Sequence, residues 1–253
     1  MDIDRYLRRI AAHPARGADL PALRHLQHAH LHAVPFENLD IRSGRALDLG
    51  EAALFDKIVS RRRGGICYEQ NTLFAALLRA LGFQVSLLAA EVGTGEGTFG
   101  PAFDHMALLV VIDERRFLAD VGFGDSFLHP LELDLRGEQQ QDTAAAYEVR
   151  VDGAWHVVMK RLRSEGSAPT ASFRFRTEPH EVVDFEPMCL YHQTSPESHF
   201  TRNDICSLAT PDGRITISGD RLIETRAGSK VARELHGTAE RALALRTHFG
   251  VVL

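Results

Sequence analysis

A chain of 253 residues, 44% of them hydrophobic, can bury a sizeable core and fold as one large domain or as two to three small ones. A net charge of -5 supplies no general basic field, which argues against nucleic acid as a partner and requires any anionic ligand to be held locally. Cys67, Cys189 and Cys206 are odd in number and too few for a disulfide framework, no signal-peptide pattern opens the chain, and no apolar run approaches the roughly 18 residues of a membrane span, so a soluble cytoplasmic protein with no membrane partner is expected.

From Asp2 to Ala12, the residues Ile3, Tyr6, Leu7 and Ile10 share one helical face, and Asp2 or Asp4 can cap its start. A second helix is predicted from about Leu20 to Val34, with Asp19 as N-cap, Pro21 in the first turn and Pro35 as the stop. It carries His25, His28, His30 and His32. His28 and His32, four residues apart, could share a metal ion, but no glutamate stands between them as in His-Glu-x-x-His and no cysteine pair is near. They read instead as polar-face and buried, hydrogen-bonded histidines, and no metal site is assigned. A third helix, Glu51 to Arg62, buries Leu54, Phe55, Ile58 and Val59 and runs into Arg63-Gly64-Gly65-Ile66-Cys67-Tyr68-Glu69-Gln70-Asn71.

In that stretch one cysteine follows two glycines and opens a further helix, because Leu73, Phe74, Leu77, Leu78 and Leu81 recur at three- and four-residue spacing and stop at Gly82. Unpaired N–H groups and the positive helix end favour an anion there, so the thiol pKa of Cys67 should fall and the residue reads as a nucleophile. Taken alone, Gly-Gly-x-Cys would favour the reading of a small buried hydrophobe. After Gly82 the character changes to β. Phe83 to Val92 is a strand candidate. In the loop from Gly93 to Pro101, residues Gly95 to Gly100 match G-x-G-x-x-G by letter, but Pro101 and a strand follow where a dinucleotide fold needs a helix, so it reads as a mobile loop.

His105 to Ile112 is a buried strand, and Asp113-Glu114-Arg115 turns into a returning strand from Phe117 to Gly124. The hairpin brings His105 and Asp120 to the same end. Further hairpins are signalled at Val151-Asp152-Gly153-Ala154-Trp155 and Thr210-Pro211-Asp212-Gly213-Arg214, Leu135 to Ala146 reads as a long polar connection, and a final helix is expected from Thr238 to His248. Cys67, His105 and Asp120 then supply the parts of a nucleophilic triad. Sulfur attacks, imidazole holds the thiol proton, and carboxylate fixes the imidazole tautomer. Each also has a structural reading, His105 as a satisfied strand-edge histidine and Asp120 as a turn former.

Taken together, these residues resemble the arylamine N-acetyltransferase family. Arg63 to Asn71 is similar to its R-G-G-x-C-x-E-x-N signature, and Val34-Pro35-Phe36-Glu37-Asn38-Leu39 to its V-P-F-E-N-L segment. Asp120-Val121-Gly122-Phe123-Gly124 and Ser198-x-Phe200-x-x-Asn203-x-x-Cys206 also match, so the resemblance runs in order over nearly the whole chain. It implies an α+β multidomain fold with a cysteine-protease-like Cys-His-Asp core: a helical bundle over residues 1–87, an antiparallel β-barrel over 88–188 and an α/β lid over 189–253. It implies a ping-pong reaction in which acetyl-CoA acylates Cys67 and an aromatic amine or hydrazine then attacks the thioester, with His105 taking the amine's proton and backbone N–H groups near Cys67 as oxyanion donors.

The resemblance also places Phe123 beside the nucleophile, with Phe127 either extending an apolar wall for the acceptor or belonging to the barrel core. Gly122 and Gly124 are expected at the phosphates of CoA, whereas Arg61 and Arg62 read as solvated helix-end residues. Two features depart from the family pattern. Asp125 puts a carboxylate where an anionic donor would be repelled, and the end at Leu253 looks short where a tail can border the donor channel. Two other activities share this logic. One is an amide synthase of the same family that closes a macrolactam from a chain borne by a carrier protein; the other is a thiol hydrolase or transglutaminase-like enzyme.

Overall fold

The computed structural model describes residues 1–14, 17–95, 97–135, 137–142, 145–162 and 168–253. Glu96 of the glycine-rich loop, and Arg136, Thr143 and Ala144 of the expected 135–146 connection, lie outside the described residues. Helix α1 (Ile3–Arg9) begins where Asp2 accepts a hydrogen bond from the Arg5 N–H, and α2 (Leu20–Ala33) where Asp19 accepts one from Ala22. Each cap satisfies a donor that helix geometry leaves open. Of the α2 histidines, His30 is buried between the Tyr6 hydroxyl at 3.0 Å and Gln70 at 3.1 Å, and burial pushes its pKa down to about 3. His28 stacks on His32 with ring centroids 4.1 Å apart.

Strand β1 (Phe36–Glu37) and helix α3 (Leu39–Arg42) follow Pro35 and were not signalled by periodicity, being too short to show one. The expected helix from Glu51 to Arg62 is α-helical only as α4 (Glu51–Phe55). Asp56–Ser60 then forms a wider π turn, closed by the Arg61 N–H on Asp56 O at 2.8 Å. The extra residue in that turn swings Lys57 inward, where Nζ lies 2.8 Å from Asp40 and 2.7 Å from Glu69. Arg63 joins the same cluster, donating to Glu37 at 2.9 and 3.1 Å and to Asp40 at 3.1 Å. All five side chains are buried. Buried charges persist only when paired and hydrogen-bonded, so this cluster fixes the backbone from Arg63 to Ile66. Gly64 is required there, since a Cβ would overlap the Pro35 carbonyl.

Helix α5 (Cys67–Ala80) is buried continuously from Cys67 to Ala75, and Gly82, at φ 92°, turns the chain away after it. Eight strands follow: β2 (Gln84–Val92), β3 (His105–Ile112), β4 (Arg115–Ala119), β5 (Leu131–Glu132), β6 (Gln140–Gln141), β7 (Ala145–Asp152), β8 (Trp155–Leu162) and β9 (Thr170–Phe175). They pair antiparallel in the order β5-β4-β3-β2-β9-β8-β7-β6. The two edges are joined by one side chain, because the Gln140 amide accepts from the Glu132 N–H at 2.8 Å and donates to Glu132 O at 2.9 Å. A side-chain amide thus stands in for a ladder step and nearly closes the barrel. The interior is filled by residues such as Leu88, Leu118, Tyr147, Phe173 and Phe175.

The returning strand stops at Ala119 rather than at Gly124. Past that point the backbone is satisfied by side chains: Val121 N–H donates to Asn71 Oδ1 at 3.0 Å and Gly122 N–H to Asp120 Oδ1 at 2.8 Å. The last third adds helices α6 (Glu186–Thr194) and α7 (His199–Arg202), then strands β10 (Ile205–Thr210), β11 (Gly213–Ser218), β12 (Arg221–Arg226) and β13 (Ser229–Glu234), and helix α8 (Gly237–Phe249). These strands continue from β1 in the order β1-β10-β11-β12-β13, so an N-terminal strand completes the C-terminal sheet, and α8 packs Leu245 and Phe249 on it.

Lys57→Met keeps most of the side-chain volume but leaves Asp40 and Glu69 without the cation between them. It is expected to lower unfolding stability by about 3–5 kcal/mol, seen as a lower urea midpoint at unchanged m value.

Candidate active site

Cys67 is the first residue of α5 and only 3% exposed. The helix start is built by Glu69, whose carboxylate accepts from the Ile66 N–H at 3.0 Å, while Ile66 O accepts from both Glu69 and Gln70. His105, the first residue of β3, places Nε2 at 2.7 Å from Asp120 Oδ2. With that nitrogen engaged, Nδ1 remains for Cys67, which lies within hydrogen-bonding reach of the imidazole. Burial opposes the charged ring, but Asp120 and Cys67 together outweigh it and raise the His105 pKa to about 10. Three residues spread over the sequence therefore meet at one buried point, as their order suggested.

Asp120 is 1% exposed and its Oδ1 accepts from Asn71 Nδ2 at 2.9 Å as well as from Gly122. Its own N–H donates to Gln27 Oε1 at 3.3 Å. Asn71 lies one helical turn after Cys67, on the same face, and also donates to Met106 O at 2.7 Å. One side chain of the nucleophile helix thus ties down both the strand that carries His105 and the segment after Asp120. Asn71 and Gln27 were not assigned roles from sequence. Their signal was spacing: Asn71 is at i+4 from Cys67, and Gln27 is a polar residue at i+4 from Leu23 on the apolar side of α2.

Gly122 passes directly over Cys67, and a Cβ there would stand 2.6 Å from Cys67 Cα and 2.9 Å from Asn71 Nδ2. Gly124 adopts φ 90° against the Phe36 ring. Phe123 is half-buried, edge-on to His105 with centroids 5.1 Å apart, and 5.3 Å from Phe173. Phe127 is 1% exposed in the barrel interior, edge-on to Tyr147. Asp125 points outward, but its carboxylate meets Lys160 Nζ at 3.1 Å and Arg214 Nε at 3.6 Å, from β8 and β11. The two outer motifs meet each other: Asn38 donates to Phe200 O at 2.9 Å and Asn203 O at 2.8 Å and accepts from the Ile205 N–H at 2.8 Å.

The profile of the family described as N-acetyltransferase matches residues 19–253. Arylamine N-acetyltransferase 1 of Homo sapiens is 36% identical over 250 residues, covering 91% of this chain and 85% of that one. The arylamine N-acetyltransferase of Mycolicibacterium smegmatis is 34% identical over 259 residues, covering 100% and 93%. Among solved structures, that of Salmonella typhimurium superposes with a TM-score of 0.91 at 28% identity over 98% of this chain and 90% of its own. That of Mycobacterium marinum in complex with CoA superposes with a TM-score of 0.90 at 33% identity over 99% and 93%.

Gly122→Ala must displace the 120–124 segment from Cys67, and a shift of that kind is expected to lower turnover about 100-fold and to lower the melting temperature as well. A second expectation concerns pH. Because folding raises the His105 pKa from 6.5 to about 10, its contribution to stability is complete below pH 6.5 and fades as the pH rises through about 10. Thermal melts of the wild type and His105→Gln should show a stability gap that narrows across that window.

Proposed function

This chain belongs to the arylamine N-acetyltransferase family, and from that membership and the geometry of the site we propose that Cys67, His105 and Asp120 carry its reaction. The enzyme is an acyltransferase that moves an acetyl group from acetyl-CoA to the nitrogen of an aromatic amine or hydrazine. The observation that carries the assignment of residues is the 2.7 Å contact between His105 and Asp120 beside a cysteine at a helix start.

The Cys67 sulfur, its proton taken up by His105, attacks the acetyl carbonyl. A carbon–sulfur bond forms on Cys67, the bond to the donor's sulfur breaks, and His105 gives its proton to the departing thiolate. The acetyl group is now a thioester on Cys67, electrophilic enough for an amine. The acceptor nitrogen attacks that carbonyl, neutral His105 takes the nitrogen's proton, and the Cys67 thiolate leaves, restoring the ion pair. Asp120 keeps the Nε2–H engaged throughout, so Nδ1 is the nitrogen that exchanges the proton. The N–H groups of the first turn of α5 are suited to the oxyanion.

Phe123 offers the acceptor ring its half-exposed face. Gly122 and Gly124 are suited to approach the phosphates of the donor. The carboxylate of Asp125 does not stand against this, because Lys160 and Arg214 balance its charge.

Mixing the protein with acetyl-CoA in the absence of amine should leave one acetyl group on Cys67 by intact and peptide mass, and Cys67→Ala should carry none. No adduct from acetyl-CoA but one from a carrier-bound long-chain thioester would assign the amide synthase reaction instead, and free acetate released without amine would assign hydrolysis.

A further inference from the structure

The chain makes a turn directly before His105, and its shape is imposed from outside. Phe103 has φ 65°, a left-handed conformation that a bulky residue holds only under constraint. One constraint comes from Tyr68, the residue after Cys67, whose hydroxyl donates to Phe103 O at 2.8 Å. The other comes from α6. His192 Nε2 lies 3.1 Å from Asp104 Oδ1, close but poorly aligned for a hydrogen bond, and His192 Nδ1 lies 3.1 Å from Ser198 Oγ. His192 and Ser198 are each 3% exposed. On its far side the Asp104 carboxylate rests on Gly100, where a Cβ would come within 2.5 Å of Oδ2.

We propose that His192 is a positioning residue for catalysis: held by Ser198, it holds Asp104, and through Asp104 it fixes the first residue of β3 so that the His105 ring stays over Cys67. The inference rests on the reading of Cys67 and His105 as the reacting pair. Such support adds to what already holds His105, namely the Asn71 amide on Met106 O and the Asp120 carboxylate on Nε2. On the β2 side His105 pairs with Ala90, but on the β4 side the ladder begins only at Leu108. The residues before His105 therefore share with Asp120 and Asn71 in setting where its ring points. The Ser198–His192–Asp104 chain is not a second nucleophilic site, because Ser198 is buried and its hydroxyl accepts the Phe200 N–H at the start of α7. Its role also accounts for Ser198 in the later sequence motif.

The test needs no acetyl donor. Alkylation of Cys67 by iodoacetamide at neutral pH, located by peptide mass, reads the Cys67–His105 geometry, and Cys189 does not compete because burial raises its pKa to about 12. In His192→Gln the amide nitrogen replaces Nε2 and keeps the contact with Asp104, whereas in His192→Asn it replaces Nδ1 and keeps only the contact with Ser198. The glutamine variant should alkylate within about twofold of wild type and the asparagine variant about tenfold more slowly, at similar melting temperatures. Equal rates in the two variants, whether fast or slow, would reduce His192 to a packing residue. Should either fail to fold, Asp104→Leu at its partly exposed position decides: a rate about tenfold down supports the proposal, and a wild-type rate overturns it. Failure of Cys67 to accept acetyl from acetyl-CoA would leave this result untouched.

Discussion

A carboxylate with 1% of its surface exposed has to be met by donors on every side, and the fold around Asp120 can be understood as the means of supplying them. The donors come from three places: the ring of His105 on β3, the amide of Asn71 on α5, and the backbone of Gly122 in its own loop. Satisfying the buried charge is what brings the strand, the nucleophile helix and the 120–124 segment into register. The meeting of Cys67, His105 and Asp120 is in this sense a by-product of electrostatic necessity. Once Asp120 is satisfied, the His105 ring is oriented and charged, and the only nitrogen it has left faces Cys67.

A second buried set of charges does the same for the other reactant. Lys57 and Arg63 sit among Glu37, Asp40 and Glu69, and the exposed Arg45 reaches Asp40 at 3.7 Å from the edge. The Glu69 carboxylate is placed at the start of α5, where the helix dipole and the Ile66 N–H favour it. Burial pushes the pKa of Glu69 up even so, although Lys57 works against it. The cost is borne by a π turn and by Arg62 in a left-handed conformation at φ 55°, and the return is a rigid approach to Cys67. Cys67 and His105 are thus each anchored by a buried ionic arrangement, and Asn71 couples the two.

Elements with their own periodicity were legible in the sequence. The caps at Asp2 and Asp19, the start of α5 at Cys67, and β3 from His105 to Ile112 all fall where local pattern puts them. What escaped was whatever depends on a distant partner. The wide turn at Asp56–Ser60 exists because Lys57 has partners in α3 and α5, and no window around residue 57 contains that information. The strand after Arg115 runs short because Asn71 and the Asp120 carboxylate take over backbone donors that a ladder would otherwise use. At the site, residue types pointed to Cys67, His105 and Asp120 as a group, whereas the clamp by Asn71 and Gln27 needed the third dimension.

The sequence motifs acquire a common physical meaning when placed on the fold. Val34 to Leu39 supplies β1 to the C-terminal sheet and Asn38 to the segment from Ser198 to Cys206, so both motifs are halves of one contact. Arg63 to Asn71 meets Asp120 to Gly124 so closely that Gly122 has no room for a side chain. Each motif therefore lies where remote parts of the chain press against one another, and at such a place few residue types can satisfy both sides at once. Asp125 illustrates the converse. It lies one residue past the matched segment and faces solvent, where the sign of its charge can differ provided that Lys160 and Arg214 arrive from two sheets to balance it.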